Sequence, residues 1–394
     1  MKTPAPHKLA LAVALILIPS ISSAAEPRHP PENATIVYNQ AFKIYQKPRD
    51  KHIKRMLADL VAGKTKPDQR ITQYIQKNQP AIKLAETAAD IKNCDWKLDY
   101  STGSSIRLTH LGPLNNLAKI VIADARILAA KHNFNTALQR CLTAHKMARH
   151  VGNQFLIGYL VATSITESAN KPIPDIISQM PLDKENLKNL NKQLEQIDRN
   201  YFSFKAAVKS DAEPAAVEIT ERMAEQILEI NLHSPRNEME KIARRRIGNA
   251  DRQFFENNRK YWLKHADAVI AAADLPYPQA YEELKRLEQK PKNDAIENPD
   301  ATITAIIVPA SSGVYAQNAI ARNFSNAIRA AVNIYIVKAQ TGQLPQTMPP
   351  ALAKDLFSQQ DFQYVKTQQG FVLRSAQKDL LKQKIHEYEF KISP

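Results

Sequence analysis

Nine glycines are spread through 394 residues, and that scarcity restricts the fold more than any other feature of the chain. A sandwich or barrel needs a tight turn about every ten residues, and glycine makes such turns at no steric cost. The residues used instead, chiefly Ala, Leu, Ile, Lys and Gln, with few aromatics, favour helices. A mainly α fold is expected, an irregular helical-hairpin bundle with long charged helices and a small C-terminal α+β module.

The apolar spacing gives the elements. Ile36, Ala41 and Ile44, then Met56, Leu57, Leu60 and Val61, mark two short amphipathic helices separated by Lys47-Pro48. A third begins at Pro67, a good first helical position, with Asp68 in its first turn, and Pro80 ends or kinks it before Ile82, Leu84, Ala85, Ala88 and Ala89. Helical period is lost from Asn93 to Gly103 and returns from Leu114. Three antiparallel helices follow, the last running from Phe155 until Pro172 and Pro174 stop it. Ala130 to Leu138 resembles the junction of a tetratricopeptide hairpin, without a 34-residue period to make a solenoid. Residues 181–290 read as long charged helices, with Asp183 as a cap and Arg244 to Ala273 continuously helical. The polar stretch 291–301 reads as a linker. In 302–394, Val314 to Gln340 is one helix, stopped by Gly342 and Pro345. Around Phe362–Val365, Phe371–Arg374 and Tyr388–Ile392 the residues alternate as strands do, with a turn at Gln369-Gly370.

Residues 1–25 have the three parts of a secretory leader: Lys2, His7 and Lys8, an apolar core from Leu9 to Ile18, and a small-residue exit with Ser22 and Ala24 or Ser23 and Ala25 before the cut. The core is too short to span a bilayer, and export to the periplasm or beyond is expected, with 26–180 forming the helical-hairpin domain. The formal charge of +15 falls to +13 once Lys2 and Lys8 leave with the leader. That excess points to an anionic neighbour: a headgroup surface, an anionic polymer or an acidic envelope protein, with nucleic acid last in that compartment. The alternative is that Lys and Arg solvate helix faces.

Two cysteines, Cys94 and Cys141, follow the leader. In an oxidising compartment a lone pair is expected as a disulfide. Closing about 47 residues would stabilise the fold by roughly 4 kcal/mol through chain entropy.

Glu32-Asn33-Ala34, Tyr38, Ala41-Phe42, Cys94-Asp95-Trp96, Asp99-Tyr100, Ala144 to His150, Leu156-Ile157, Leu160-Val161 and the C-terminal Tyr335, Gly342, Leu344-Pro345, Asp355 to Ser358, Tyr364 and Gly370 to Leu373 together resemble a family of exported helical bacterial proteins of unknown function. The resemblance covers most of the chain after the leader and implies export and a helical fold, with no catalytic assignment. The last ~60 residues are also similar to the distal part of type II secretion pseudopilins, where a helix leads through a Gly-Pro turn to a small sheet. Leu356 stands where that pattern has Pro, Ser358-Gln359-Gln360 where it has a Gly turn, and no acidic calcium loop follows Leu373. The likeness implies a shared small fold rather than a pilus subunit.

Few constellations carry chemistry. His145 and His150 are five apart, about 140° around a helix, so they cannot bind one metal from one face. Asp95, Asp99 and His110 crowd in the irregular stretch, either capping turns or acting as general acid and base. Glu218, Glu221, Glu225 and Glu229 form an acidic stripe, read as a solvated face. Arg244, Arg245, Arg246, Arg259, Lys260 and Trp262 make up the densest basic and aromatic region, either an anion-binding surface or a core stripe beside a wet one. No P-loop, Gly-x-Ser-x-Gly or His-Glu-x-x-His motif occurs, so no cofactor or metal is implied. A non-catalytic binding or scaffold protein of the envelope is expected, and the alternative is an envelope hydrolase using the region from Cys94 to His110.

Overall fold

Asn33, Asp50 and Asp68 each stand one residue before a helix and accept its first free N–H groups, from Thr35, His52 and Ile71. They open α1 (Ala34–Ile44), α2 (Lys51–Val61) and α3 (Gln69–Lys77). Pro80 does not end a helix; it sits in the first turn of α4 (Gln79–Asp90), where its missing N–H has no partner to lose. The computed structural model describes residues 32–100, 106–231, 234–235, 237–350 and 353–392. The leader at 1–25 and the end of the irregular stretch at 101–103 lie outside the described residues.

Three antiparallel helices follow: α5 (Leu111–Ala130), α6 (Phe134–Arg149) and α7 (Phe155–Asn170). The α6 helix packs between α5 and α7, while α1 lies on α4 and α2 on α5. Pro172 and Pro174 do more than stop α7, since Pro174 lies in the first turn of a short α8 (Ile173–Gln179). Asp183 then caps α9 (Lys184–Arg199) by accepting from Glu185 N–H.

The region expected as long helices is cut more often than its periodicity shows. It contains α10 (Phe204–Glu218), α11 (Glu221–Gln226) running into a π turn at Ile227–Asn231, α12 (Glu238–Gly248), α13 (Arg252–Ala272) and α14 (Tyr277–Glu297). The acidic stripe is therefore divided, with Glu218 closing α10 and the other three beyond the break at Thr220. Arg244 and Ala273 are not on one helix, because the chain turns after Gly248 and Asp251 recaps it by accepting from Phe254 N–H at 2.8 Å.

The stretch 291–301 is not a linker. Helix α14 runs through a buried Pro291 to Glu297, and a 3-10 turn at Pro299–Ala301 leads into α15 (Thr302–Ile307). The polar residues that suggested a linker are held in place, Asp294 by the Tyr261 hydroxyl at 2.5 Å and by Lys290, and Asn298 by the Asp300 N–H.

The chain ends in α16 (Ser311–Thr341), closed by Gly342 at φ 77°, and an antiparallel sheet in the order β1 (Gln363–Thr367), β2 (Gly370–Arg374), β3 (Glu387–Lys391). Val372 lies opposite Val365 on one side and Glu389 on the other. Phe371, Leu373, Tyr388 and Phe390 alternate inward and join Ala327, Ala331, Ile334 and Tyr335 of α16 in one core. A mainly helical fold with a small C-terminal sheet is thus observed.

Cys94 and Cys141 are not joined, and the expected disulfide is corrected to two free thiols. The irregular segment docks at the C-terminal end of α6, where Trp96 Nε1 donates to the His150 carbonyl at 2.9 Å. Cys141 lies about two helical turns before that end, roughly 12 Å along the axis, whereas a disulfide needs Cα atoms within about 7 Å. It is fully buried in the core that α6 shares with α8, α9 and α16.

Candidate functional site

Two helices present facing stripes of the same spacing. On α6 these are Leu142, His145, Lys146 and Arg149; on α9 and just past its end they are Gln193, Gln196, Ile197 and Asn200. Residues at i, i+3, i+4 and i+7 share one face of a helix, so each stripe is a continuous surface. Between them lies a cleft of about 720 Å³, lined also by Asp90, Lys92, Thr166 and Tyr201. Its volume falls in the range of small-molecule sites.

The buried side of the cleft holds two polar side chains: His145 is 4% exposed and lies against the Asn170 side chain, and Thr166 is fully buried with its hydroxyl against Tyr201. Burial pushes His145 down to about 4, against the Asn170 side chain, which favours the charged form. The imidazole is therefore neutral at pH 7, with one donor and one acceptor nitrogen. The Tyr201 hydroxyl accepts from Asn318 Nδ2 at 3.0 Å, and burial pushes it up to about 12. His145 Nε2 and Thr166 Oγ1 are both shut off from solvent, so the polar groups open to a ligand are those of Gln193, Gln196 and Asn200 on the α9 stripe.

The rim is basic. Lys146 is paired with Asp90 at 2.7 Å. Among the described residues no carboxylate lies within ion-pair distance of Arg149 or Lys92. Arg149 is half-buried with its guanidinium 3.2 Å from His150 Nε2, and a guanidinium without a carboxylate beside it on a cleft wall favours an anion there.

Part of the irregular segment forms a second, smaller cleft. It measures about 460 Å³ and is lined by Trp96, Asp99, Arg107 and His110 among others. His110 stacks on Trp96 with ring centroids 4.2 Å apart, lies against the Gln154 side chain, and is pushed down to about 4 by burial. Asp95 instead closes a turn: its carboxylate accepts from Lys97 N–H at 2.9 Å and pairs with Lys97 Nζ. Asn33 brackets its backbone, donating to the Asp95 carbonyl and accepting from the Asp95 N–H. Burial pushes the Cys94 thiol up to about 12, which leaves it a poor nucleophile at neutral pH.

His150 is structural. Its Nδ1 lies 2.9 Å from the Tyr38 hydroxyl, and its Nε2 lies 3.0 Å from the Ile91 carbonyl and 3.2 Å from the Arg149 guanidinium. Tyr38, Trp96 and His150 thereby join α1, the irregular segment and α6.

The basic and aromatic residues picked from the sequence do not share one surface. Arg246 donates to the Ala295 and Ile296 carbonyls at the end of α14, and Arg259 to the Ala216 and Ile219 carbonyls at the end of α10. Cations are favoured at helix C-termini, where carbonyls lack partners. Trp262 is 6% exposed and donates to the Ala212 carbonyl at 2.9 Å. Arg244, Arg245 and Lys260 are exposed. Sequence reasoning passed over the α6–α9 cleft; its signal was the pair of half-polar stripes, each of which reads alone as an ordinary amphipathic face.

Among the described residues no three His, Cys, Asp or Glu side chains are grouped to hold a metal ion, and no helix is long and apolar enough to cross a membrane. No family model matches the chain, and comparisons with curated proteins and with solved structures find no match.

Proposed function

We propose that the chain is an exported, non-catalytic binding protein of the cell envelope that holds an anionic ligand between α6 and α9. Arg149, half-buried on the cleft wall with no carboxylate within ion-pair distance among the described residues, is the observation that carries this reading. The leader-like residues 1–25 and the positive charge support it from the sequence. Arg244, Arg245 and Lys260 add a diffuse positive field on α12 and α13 that would draw anionic polymers or headgroups toward the protein. The hydrolase alternative is less well supported by the geometry, because Asp95 is occupied in a turn and Cys94 is held as a thiol.

The test is retention on an anionic cell-wall fraction at low and physiological salt. Replacing Arg149 and Lys92 together by Gln should abolish most of the retention at unchanged thermal stability, since neither residue holds a partner helix. Unchanged retention would overturn the cleft as the binding element. In a Gram-negative host the product should be periplasmic, with a mature N-terminus at Ala25 or Glu26; an intact Met1 would overturn export.

A further inference from the structure

We propose that the ligand of the α6–α9 cleft is an acidic saccharide, a hydroxyl-bearing ring carrying one carboxylate; this rests on the reading of the cleft as a binding site. The polar groups offered are of a particular kind. The exposed amides of Gln196 and Asn200 each both donate and accept hydrogen bonds. A sugar hydroxyl does the same and can satisfy either half. Inorganic phosphate and simple carboxylates at neutral pH mostly accept, and would leave acceptor atoms in the cleft unpaired, at a cost.

The charge is limited as well. Lys146 is neutralised by Asp90, which leaves Arg149 and the exposed Lys92 to meet the ligand. A guanidinium fork matches a carboxylate with two parallel hydrogen bonds. Gln139 donates to Gln193 Oε1 at 3.3 Å and so turns the Gln193 amide to offer its N–H groups. Ile197, partly exposed on the α9 stripe, supplies an apolar contact for the C–H face of a ring.

The proposal is tested by calorimetric titration of the full-length processed protein with D-glucuronate, D-galacturonate, D-glucose and inorganic phosphate. At least one uronate should bind, with glucose about tenfold or more weaker, the equivalent of about 1.4 kcal/mol. Arg149→Gln should bring the uronate down to the level of glucose. Gln196→Ala, at an exposed position, should weaken uronate and glucose alike. Phosphate binding without uronate binding would overturn the saccharide and leave the anion site standing. Failure of all four probes would overturn both.

Discussion

The Arg246 guanidinium donates to the carbonyl of Ala295 across 2.6 Å, and its other terminal nitrogen reaches the Ile296 carbonyl at 3.1 Å. One member of an arginine triplet therefore holds the last turn of α14 against α12, while Arg245 beside it is exposed. Arg246→Gln should lower unfolding free energy by about 2 kcal/mol, the scale of hydrogen bonds to a charged group. Arg245→Gln should change it by less than about 0.5 kcal/mol, as exposed charges do. Urea midpoints read both, and equal effects would refute the distinction.

Asp355 should be the most sensitive position of the C-terminal module. Fully buried, it accepts from Asn323 Nδ2 of α16 at 3.0 Å, Ser358 Oγ at 2.6 Å, Ala376 N–H at 3.0 Å and Phe357 N–H at 3.3 Å. Asp355→Ala leaves these donors buried and unpaired, with an expected loss of about 3–5 kcal/mol. Denaturant unfolding followed by far-UV circular dichroism checks it; a loss below about 1 kcal/mol would show that water replaces the carboxylate.

Acid should destabilise the protein early. Burial pushes His110, His145, His150 and His265 down to about 4, from an unfolded value near 6.5. Between those values the unfolded chain binds protons that the folded one refuses. Stability is therefore complete above about pH 6.5, falls as pH drops toward 4 and then levels off as far as these histidines are concerned. His145 alone contributes on the order of 1 kcal/mol per pH unit in that window. Asp211, pushed up to about 6 by burial, works in the opposite direction, because its folded form takes a proton above the unfolded carboxylate range. Thermal midpoints from pH 7 to 4 should fall, and His145→Gln should flatten the slope. A flat wild-type profile would contradict the burial of these rings.

Both thiols should be unreactive in the folded state and free after unfolding. Burial pushes Cys94 and Cys141 up to about 12, so little thiolate exists at pH 7.5. Alkylation without reductant should label two cysteines per chain in denaturant and far less than that in native buffer. No labelling in denaturant would restore the disulfide.

Gly152 sets a wall of the cleft. A Cβ there would lie 2.2 Å from Phe202 Cγ, and Phe202 lines the cleft beside Tyr201. Gly152→Ala should cost about 1–3 kcal/mol by overpacking and weaken ligand retention. A Cβ at Gly248, the last residue of α12, meets open space, so Gly248→Ala should be neutral or slightly stabilising. Calorimetric unfolding of the two variants separates the cases, and equal midpoints would remove the close contact from the argument.

What the sequence determined by itself is local. Glycine scarcity and apolar spacing set the helices, and Asp183 announced the start of one because a cap acts within a few residues of itself. Alternation around Phe371 and Phe390 marked the sheet for the same reason. The tertiary structure decided whatever depends on partners distant in the chain. Arg246 and Arg259 read as free cations until carbonyls about 40 to 50 residues away come within reach. Pro291 and its polar neighbours read as a linker until Tyr261 takes Asp294 and the proline is buried. Cys94 and Cys141 had the composition of a disulfide, but docking of Trp96 at the end of α6 sets them apart. The cleft is the clearest case. The stripes at 142, 145, 146 and 149 and at 193, 196, 197 and 200 are each legible, yet a helical period fixes only which residues share a face. Which face meets which is set by the packing of α7, α8 and α16 around them, and that packing is long-range burial summed over the whole core.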